Sequence, residues 1–175
     1  MDSSIIITFA IPLFFGLILI EFFYGVITKQ NNYRINDAIT SMSLGLISRF
    51  VPILGLGFQY VVYKAVAEHY NFNLLNGEEV WVWVTAFVLY DVCYYWMHRI
   101  HHEIKVFWAT HVVHHHGEEF NLSTALRQTS TGFLWKWVFF LPMFIIGIPP
   151  HIYVSVAGLN LVYQFWVHTE HIGRL

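Results

Sequence analysis

The sequence predicts an all-α, polytopic membrane domain with four to five membrane-associated segments and a histidine cluster on its cytoplasmic side. Three observations lead to this fold class. The chain of 175 residues is 57% hydrophobic and only 11% charged, whereas soluble domains carry about 25% charged residues. Its apolar residues form runs close to the length that crosses a bilayer as a helix. Seven of the eleven histidines lie between residues 98 and 116, directly after one of these runs.

The first two apolar runs occupy residues 5–27 and 38–67. Residues 5–27 are long enough to cross a hydrocarbon core of roughly 30 Å. The residues before them lack the positive charge of a secretory signal, so we expect a retained anchor. Residues 38–67 are too long for one upright span, and the sequence predicts a kinked or tilted helix or two half-helices. Four residues interrupt this run: Arg49, Pro52, Gly55 and Gly57.

The second half of the chain alternates apolar runs with polar segments. The apolar runs occupy residues 80–97, 132–148 and 152–167. The first run is rich in tryptophan and tyrosine, which are enriched at membrane interfaces, and it leads directly into His98. Pro149 and Pro150 separate the other two runs. We treat residues 1–175 as a single membrane domain and assign its polar parts to a metal site: residues 98–131 and 168–175.

The placement of lysine and arginine predicts an orientation. If residues 28–36, 98–131 and 168–175 share one side of the membrane, that side holds most of the positive charge. Its cations are Lys29, Arg34, Arg99, Lys105, Arg127 and Arg174. Loops on the other side add little beyond Lys64. Because positively charged loops stay cytoplasmic, we expect an integral protein of a bacterial inner membrane or the endoplasmic reticulum, with its histidines facing the cytoplasm.

The spacing of the clustered histidines predicts a metal site. His98 and His102 are four residues apart, so a helix places both side chains on one face. A second group repeats this device at i, i+3 and i+4: His111, His114 and His115. Neutral imidazole is the commonest protein metal ligand and binds zinc, copper, iron and nickel. The spacing therefore predicts a metal without identifying it.

The remaining histidines have weaker signals. The alternation of spans returns His168 to the side of the cluster. His101, His116 and His171 are ambiguous, because each neighbours a candidate ligand in sequence or on a helix face. His69 and His151 lie in loops on the far side, and we interpret them as ordinary polar residues.

Several other functions are disfavoured. A net charge of -2 and the lack of a basic run argue against a nucleic-acid partner. Cys93 is the only cysteine, so there is no disulfide framework. A zinc hydrolase lacks support because no HExxH motif is present. A haem electron carrier is disfavoured because it needs paired histidines that face each other from different spans within the bilayer, and this clustering does not supply them. A non-catalytic membrane metal-binding or transport protein stays open as the alternative function.

Three motifs resemble the fatty acid hydroxylase and sterol desaturase superfamily, and most closely its alkylglycerol monooxygenase-like branch. They are HRIHHE at residues 98–103, FWATHVVHH at 107–115 and EEFNLSTALRQ at 118–128. The resemblance implies a non-haem pair of iron ions, with dioxygen as co-substrate. It implies hydroxylation or desaturation of a membrane lipid, either a fatty acid, a sterol or an alkyl ether lipid. It also implies an external electron donor of cytochrome, ferredoxin or pterin type.

The ligand set implied by this resemblance is incomplete. The metal ligands that match the motifs are His98, His102, His111, His114, His115 and His168. Two iron ions with roughly four nitrogen ligands each need about eight histidines. The family pattern continues to a third box of the HHxxHH kind, which this chain lacks. We therefore expect a fragment that is truncated at its carboxyl end and is inactive alone if the missing box supplies essential ligands.

Three further residues are candidates to support the ligands. A metal-bound histidine needs an acceptor for its second ring N–H group, and Asp91 precedes His98 by about two helical turns. A carboxylate inside a membrane span is costly unless it has a partner, which favours a role for Asp91. Glu119 is a second candidate acceptor. Arg127 is expected to fix the loop after the second histidine group or to neutralise a carboxylate.

Overall fold

A computed structural model describes residues 3–54, 58–75, 77 and 79–172. All secondary structure in these ranges is helical, which confirms the all-α expectation. The α-helices are α1 (Ser3–Thr28), α2 (Ile35–Leu54), α3 (Phe58–His69), α4 (Val80–Glu103), α5 (Lys105–His115), α6 (Leu141–Ile146) and α7 (Pro150–Phe165). Three 3-10 helices lie between α5 and α6: Leu122–Leu126, Gly132–Leu134 and Lys136–Phe140.

Two helices of the described part are long and apolar enough to cross a bilayer. They are Phe9–Thr28 in α1 and Val80–Glu103, which is α4. Large apolar side chains of α1 project outward: Phe9 is 71% exposed, Ile20 66% and Ile27 79%. A continuous apolar surface of this kind is typical of contact with a membrane or a partner. The remaining predicted membrane segments form shorter or less apolar helices.

The second apolar run forms two helices. α2 ends at Leu54 and α3 begins at Phe58. Three of the residues expected to interrupt the run fall at this division, although Gly55 and Gly57 lie outside the described residues. Pro52 lies in the last turn of α2, where it cannot donate a backbone hydrogen bond to the preceding turn and so weakens the end of the helix.

Residues 132–148, expected as one apolar span, do not form a single helix. They form two 3-10 helices and α6, which has six residues and spans about 9 Å at 1.5 Å per residue. Pro142 lies in the first turn of α6, and Gly147 ends the helix in the left-handed conformation with φ of 114°. The segment instead packs on α4, where the rings of Phe140 and Tyr90 stack at 4.8 Å.

The buried core joins α4 to α7 and α7 to α1. The first cluster contains Val82, Ala86, Tyr90, Met97, Phe140, Met143, Ile148, Ile152 and Val156. The second contains Ala10, Phe14, Ile18, Leu122, Ala125 and Phe165. In the second cluster the rings of Phe14 and Phe165 stack at 4.0 Å. This packing holds the carboxyl end of α7 beside α1 and the first 3-10 helix, which matters for the position of His168.

The polar segments meet at one end of the helices. The side chain of Asn32 donates to the carbonyl of Phe120 at 3.1 Å, and that of Asn121 donates back to the carbonyl of Asn32 at 2.7 Å. Glu21 near the end of α1 accepts hydrogen bonds from Leu122 N at 2.8 Å, from Tyr33 and from Thr169. The loop after α1, the segment after α5 and the segment after α7 are therefore in contact.

Candidate metal centre

The first pair of candidate ligands lies in the last turns of α4. This helix does not end at Met97 but continues to Glu103, where Arg99 and Glu103 form an ion pair of 2.8 Å one turn apart. His98 and His102 therefore share one helix face, as their spacing predicts. Their Nε2 atoms are 3.0 Å apart.

A sharp corner brings the second pair back to the first. Ile104 has an extended backbone between α4 and α5, with φ of -105° and ψ of 121°. After this corner α5 places His111 and His115 one turn apart, with their Nε2 atoms separated by 3.1 Å. The rings of His98 and His111 have centroids 4.7 Å apart, and those of His102 and His115 are also 4.7 Å apart.

These two pairs form a group of four nitrogen donors that fits one metal ion. One ligand atom from each of His98, His102, His111 and His115 lies within 4.8 Å of all the others. An ion with metal to nitrogen distances of about 2.1 Å separates opposite ligands by about 4.2 Å. The upper limit of 4.8 Å is close to this span, so small movements of the side chains would allow all four nitrogens to reach one ion. We call these residues the four-histidine group.

A separate pair joins α5 to the end of α7. Nε2 of His114 is 3.3 Å from Nε2 of His168. Nδ1 of His114 lies 2.8 Å from the carbonyl of Arg127, and Nδ1 of His168 lies 2.8 Å from the carbonyl of Gln164. A carbonyl only accepts hydrogen bonds, so both Nδ1 atoms carry the proton when the rings are neutral. Both Nε2 atoms then present lone pairs to each other, an arrangement that a cation between them would stabilise.

Burial keeps several of these imidazoles neutral. Desolvation, followed by the charges of neighbouring histidines, lowers the pKa of His111 to about 2. Desolvation also lowers the pKa of His114 to about 4, although its bond to the Arg127 carbonyl opposes the shift. The pKa values of His115 and His168 are lowered by burial as well. Neutral imidazole is the form that binds metals.

The ambiguous histidines have different surroundings. His101 is 1% exposed, and Nδ1 lies 2.6 Å from the carbonyl of Met97. Its Nε2 accepts a hydrogen bond of 3.2 Å from Trp135 Nε1. Both ring nitrogens of His101 are thus bonded within the protein. His116 is exposed at the end of α5, and His171 packs edge-on against Tyr24 with a centroid distance of 5.2 Å.

The two carboxylates expected to support the ligands contact other groups. Oδ1 of Asp91 lies 3.4 Å from the side-chain amide of Asn160 on α7. Glu119 forms an ion pair of 2.8 Å with Arg34. The described acceptors for the ring N–H groups of His101, His114 and His168 are backbone carbonyls. Support of a metal ligand by Asp91 or Glu119 stays a prediction.

Arg127 is buried and connects three elements. Its guanidinium pairs with Asp37 at 2.8 Å and contacts Ser41 at 3.3 Å, both on α2. Its Nε donates to the carbonyl of Val113 on α5 at 2.8 Å. The 3-10 helix before it is capped by Asn121, whose side chain accepts from the backbone of Ser123. Sequence reasoning expected Arg127 to fix this loop, but did not identify its partners.

A cavity of about 770 Å³ is lined in part by the histidines. Its apolar wall comes from α1, α2 and α7, and includes Ile11, Phe14, Leu46, Leu161 and Phe165. The histidines in its lining are His98, His101, His111, His114, His115 and His168. This volume and polarity are typical of a site for an apolar small molecule. Lys136 also lines the cavity. No role was predicted for it from the sequence, where it is visible as the single charged residue of the apolar run 132–148.

Comparison with known proteins finds one family model and several relatives that share one name. A family model described as fatty acid hydroxylase matches residues 83–175. Alkylglycerol monooxygenase of Danio rerio is 41% identical over 167 residues, which cover 95% of this chain and 37% of that protein. The Homo sapiens protein of the same name is 39% identical with the same coverage, and that of Xenopus tropicalis is 37% identical over 93% of this chain and 36% of its own length. The chain thus spans little more than a third of these relatives. No solved structure matches it significantly.

Proposed function

Because this chain belongs to the fatty acid hydroxylase family, as its histidine motifs predicted, we propose that it is part of a membrane-bound oxidase that hydroxylates or desaturates a lipid. The observation that carries the proposal is the junction of the apolar cavity with the four-histidine group and the pair of His114 and His168. Relatives named alkylglycerol monooxygenase favour an alkyl ether lipid among the candidate substrates.

The proposed metal is iron, in two ions. The four-histidine group would hold one ion, and His114 with His168 would contribute to a second. When bound, an iron pair supplies the activation of dioxygen needed to attack an unactivated C–H bond, with electrons from an external donor. Histidine nitrogens suit this metal because imidazole binds iron well.

The protein residues then have two tasks. The carbonyls of Arg127 and Gln164 orient the rings of His114 and His168 so that Nε2 points toward the shared space. The apolar wall of the cavity aligns a hydrocarbon chain and excludes water, which places its C–H bonds beside the histidines. Asp91 and Glu119 are proposed as further supports of the metal ligands.

We further propose that the protein has four to five membrane-associated segments and that the histidine end faces the cytoplasm. The candidate spans in α1 and α4 and the distribution of positive charge support this orientation. The membrane would be a bacterial inner membrane or the endoplasmic reticulum. A cytoplasmic histidine end would be accessible to a soluble or membrane-bound electron donor.

The proposal is tested by metal content and lipid oxidation in the same variants. The full-length protein is expressed in cells supplied with ¹⁸O₂, and hydroxylated lipids are measured by mass spectrometry. His102→Ala and His115→Ala should each lower bound iron and bring ¹⁸O-labelled product to near background. His116→Ala is the matched control and should retain both, because His116 is exposed beyond the four-histidine group.

The possible outcomes separate the proposed function from its alternatives. Iron binding and labelled lipid that persist in both ligand variants would contradict the proposal. Bound metal in the unaltered protein without any change in lipids, including desaturation, would favour the non-catalytic metal-binding or transport protein. A Soret band in the purified protein would indicate haem instead.

A further inference from the structure

The acidic residues that line the cavity already have partners. Asp91 is contacted by the side-chain amide of Asn160 at 3.4 Å. Glu119 forms an ion pair with Arg34 at 2.8 Å. Neither carboxylate is paired with a cation that lines the cavity.

The cationic residues that line the cavity differ from one another. Arg99 is exposed and pairs with Glu103 at 2.8 Å. Lys136 also lines the cavity, and within the described ranges it forms no ion pair and no hydrogen bond. A charged group in a largely apolar environment is costly without a partner of opposite charge. Burial accordingly lowers the pKa of Lys136, and an anion beside its amino group would favour the ammonium form. The described residues supply no such anion.

The position of Lys136 is fixed by its neighbours. Gly132 is buried and leaves space for the lysine stem, since a Cβ at Gly132 would lie 2.6 Å from Cε and 3.1 Å from Nζ of Lys136. The preceding residue, Trp135, is held by its hydrogen bond to His101. The ring of His101 lies 5.6 Å from that of His111, and Lys136 lines the same cavity as both histidines. The side chain of Lys136 is thus near the metal centre.

The apolar part of the cavity lining suits a hydrocarbon chain. Ile11 on α1 and Leu46 on α2 belong to it, and they are 52% and 62% exposed on the apolar exterior. Phe14 and Leu161 extend this wall inward. A cavity with apolar walls and an unpaired basic side chain in its lining is complementary to an amphiphile with a negative head group.

We propose that Lys136 binds the carboxylate or phosphate head group of the lipid that occupies this cavity. The inference rests on the proposed function and narrows its substrate class to lipids with an anionic head group, which among alkyl ether lipids are those that carry a phosphate. The apolar chain then lies along α1, α2 and α7. The carbon atoms nearest the head group lie nearest the histidines, so oxidation is directed toward that end of the molecule.

Binding of two probes that differ only in the head group tests this proposal. Radiolabelled palmitate and cetyl alcohol are bound to the full chain in a neutral detergent above pH 7, where free palmitate is ionised. The unaltered chain should bind palmitate roughly tenfold more tightly, because hydrogen bonds to charged groups commonly contribute this much affinity. Lys136→Gln should abolish the preference while leaving the affinity for cetyl alcohol unchanged, and Lys136→Arg should retain it.

A second variant acts without removing the charge. Gly132→Ala displaces the lysine stem and should reduce the preference for palmitate, again with unchanged binding of cetyl alcohol. Retained binding of the alcohol shows that a variant has kept the cavity folded. If Lys136→Gln also loses binding of cetyl alcohol, its cavity is no longer folded. The preference of Gly132→Ala for palmitate over cetyl alcohol then serves as the test. Inorganic phosphate at the palmitate concentration should not displace palmitate; displacement would assign the site to free anions and overturn the proposal.

Two results contradict the role of Lys136 directly. One is equal affinity of the unaltered chain for both probes, and the other is a preference that survives in Lys136→Gln. Iron content and labelled lipid are measured on the same variants. Absence of any lysine-dependent preference in a protein that binds iron and oxidises lipid would reject this inference alone. A lysine-dependent preference in a protein without iron or oxidation would reject only the proposed function.

Discussion

Nδ1 of His114 donates a hydrogen bond of 2.8 Å to the backbone carbonyl of Arg127. The same arginine pairs through its buried guanidinium with Asp37 at 2.8 Å. The orientation of a candidate metal ligand on α5 is thereby connected to the first turn of α2. Disturbing the arginine should affect both the stability of the helix packing and the position of the imidazole.

Arg127→Met should lower the free energy of unfolding by about 3–5 kcal/mol, because it leaves Asp37 as a buried charge without its partner. The side chains of this pair are 6% and 15% exposed. Urea-induced unfolding in detergent measures the change. Arg34→Met is the matched control: Arg34 pairs with Glu118 and Glu119 but its side chain is 63% exposed, so the expected loss is about 1 kcal/mol or less.

The double variant of Arg127→Met with Asp37→Asn tests whether the two side chains stabilise the protein as a pair. Because the two residues are in direct contact, their effects should be strongly non-additive. Simple addition of the two single losses would show that the pair does not act as a unit. Bound metal should also fall in Arg127→Met, since the loop that carries the carbonyl for His114 is displaced.

The two histidine groups should behave differently on metal titration. His168→Ala should retain one bound Co²⁺ per chain, because the four-histidine group is intact, while removing any second ion. His102→Ala should weaken binding of the Co²⁺ ion in the four-histidine group, because one of its four nitrogen donors is lost. Co²⁺ absorption bands report occupancy and coordination directly. Equal loss of all bound Co²⁺ in His168→Ala would show that the groups are not separable.

The sequence predicted the pairs within helices but not the pairing between elements. His98 with His102, and His111 with His115, follow from the repeat of 3.6 residues per turn, which is a local property. The corner at Ile104 decides which imidazoles face each other, and it depends on the packing of α5 against α4. The approach of His168 to His114 similarly depends on the packing of α7 against α1.

The interrupted segment 132–148 shows the same limit. Its hydropathy predicted a span, but it contains two 3-10 helices and ends at Gly147 with a left-handed backbone. Composition alone does not distinguish an apolar segment that crosses a membrane from one that packs on a neighbouring helix. Lys136 within this segment was visible in the sequence, yet its lack of a described partner is a tertiary property.

Glu21 should be a major determinant of stability at the histidine end. Its carboxylate accepts from the backbone of Leu122 and from the hydroxyls of Tyr33 and Thr169. Burial and the bond to this carboxylate raise the pKa of Tyr33, so its hydroxyl remains a donor. Glu21→Leu should reduce the free energy of unfolding by about 3 kcal/mol, because a buried N–H group and two hydroxyls lose their acceptor.

Tyr33→Phe is the graded comparison for Glu21→Leu. It removes only one of the three donors, so the expected loss is about 1 kcal/mol. Both variants are followed by urea unfolding in the same detergent. Thr169 adjoins His168, so Glu21→Leu should also weaken the second Co²⁺ while Tyr33→Phe leaves it in place. A smaller effect of Glu21→Leu than of Tyr33→Phe would refute the assignment of Glu21 as the shared acceptor.

Two glycines provide a test of the packing between α2 and the loop that supports the metal centre. A Cβ at Gly45 would lie 2.5 Å from the carbonyl oxygen of Leu126, the residue before Arg127. Gly45→Ala must therefore move the backbone of α2 or of the loop, and overpacking of this kind costs about 1–3 kcal/mol. Gly16→Ala on α1 is the matched control, because no atom beyond its chain neighbours and the backbone of its own helix lies within 4 Å of its added Cβ. There the substitution should stabilise the helix by roughly 0.5–1 kcal/mol.

The opposite signs of these two effects make the comparison sensitive. Thermal unfolding should show a lower midpoint for Gly45→Ala and an unchanged or higher midpoint for Gly16→Ala. The shift in the loop should reach the metal centre, since the carbonyl that orients His114 follows Leu126 by one residue. Gly45→Ala should therefore weaken Co²⁺ binding more than Gly16→Ala does. If Gly45→Ala instead matched Gly16→Ala in both measurements, close contact between α2 and this loop would be absent from the protein in solution.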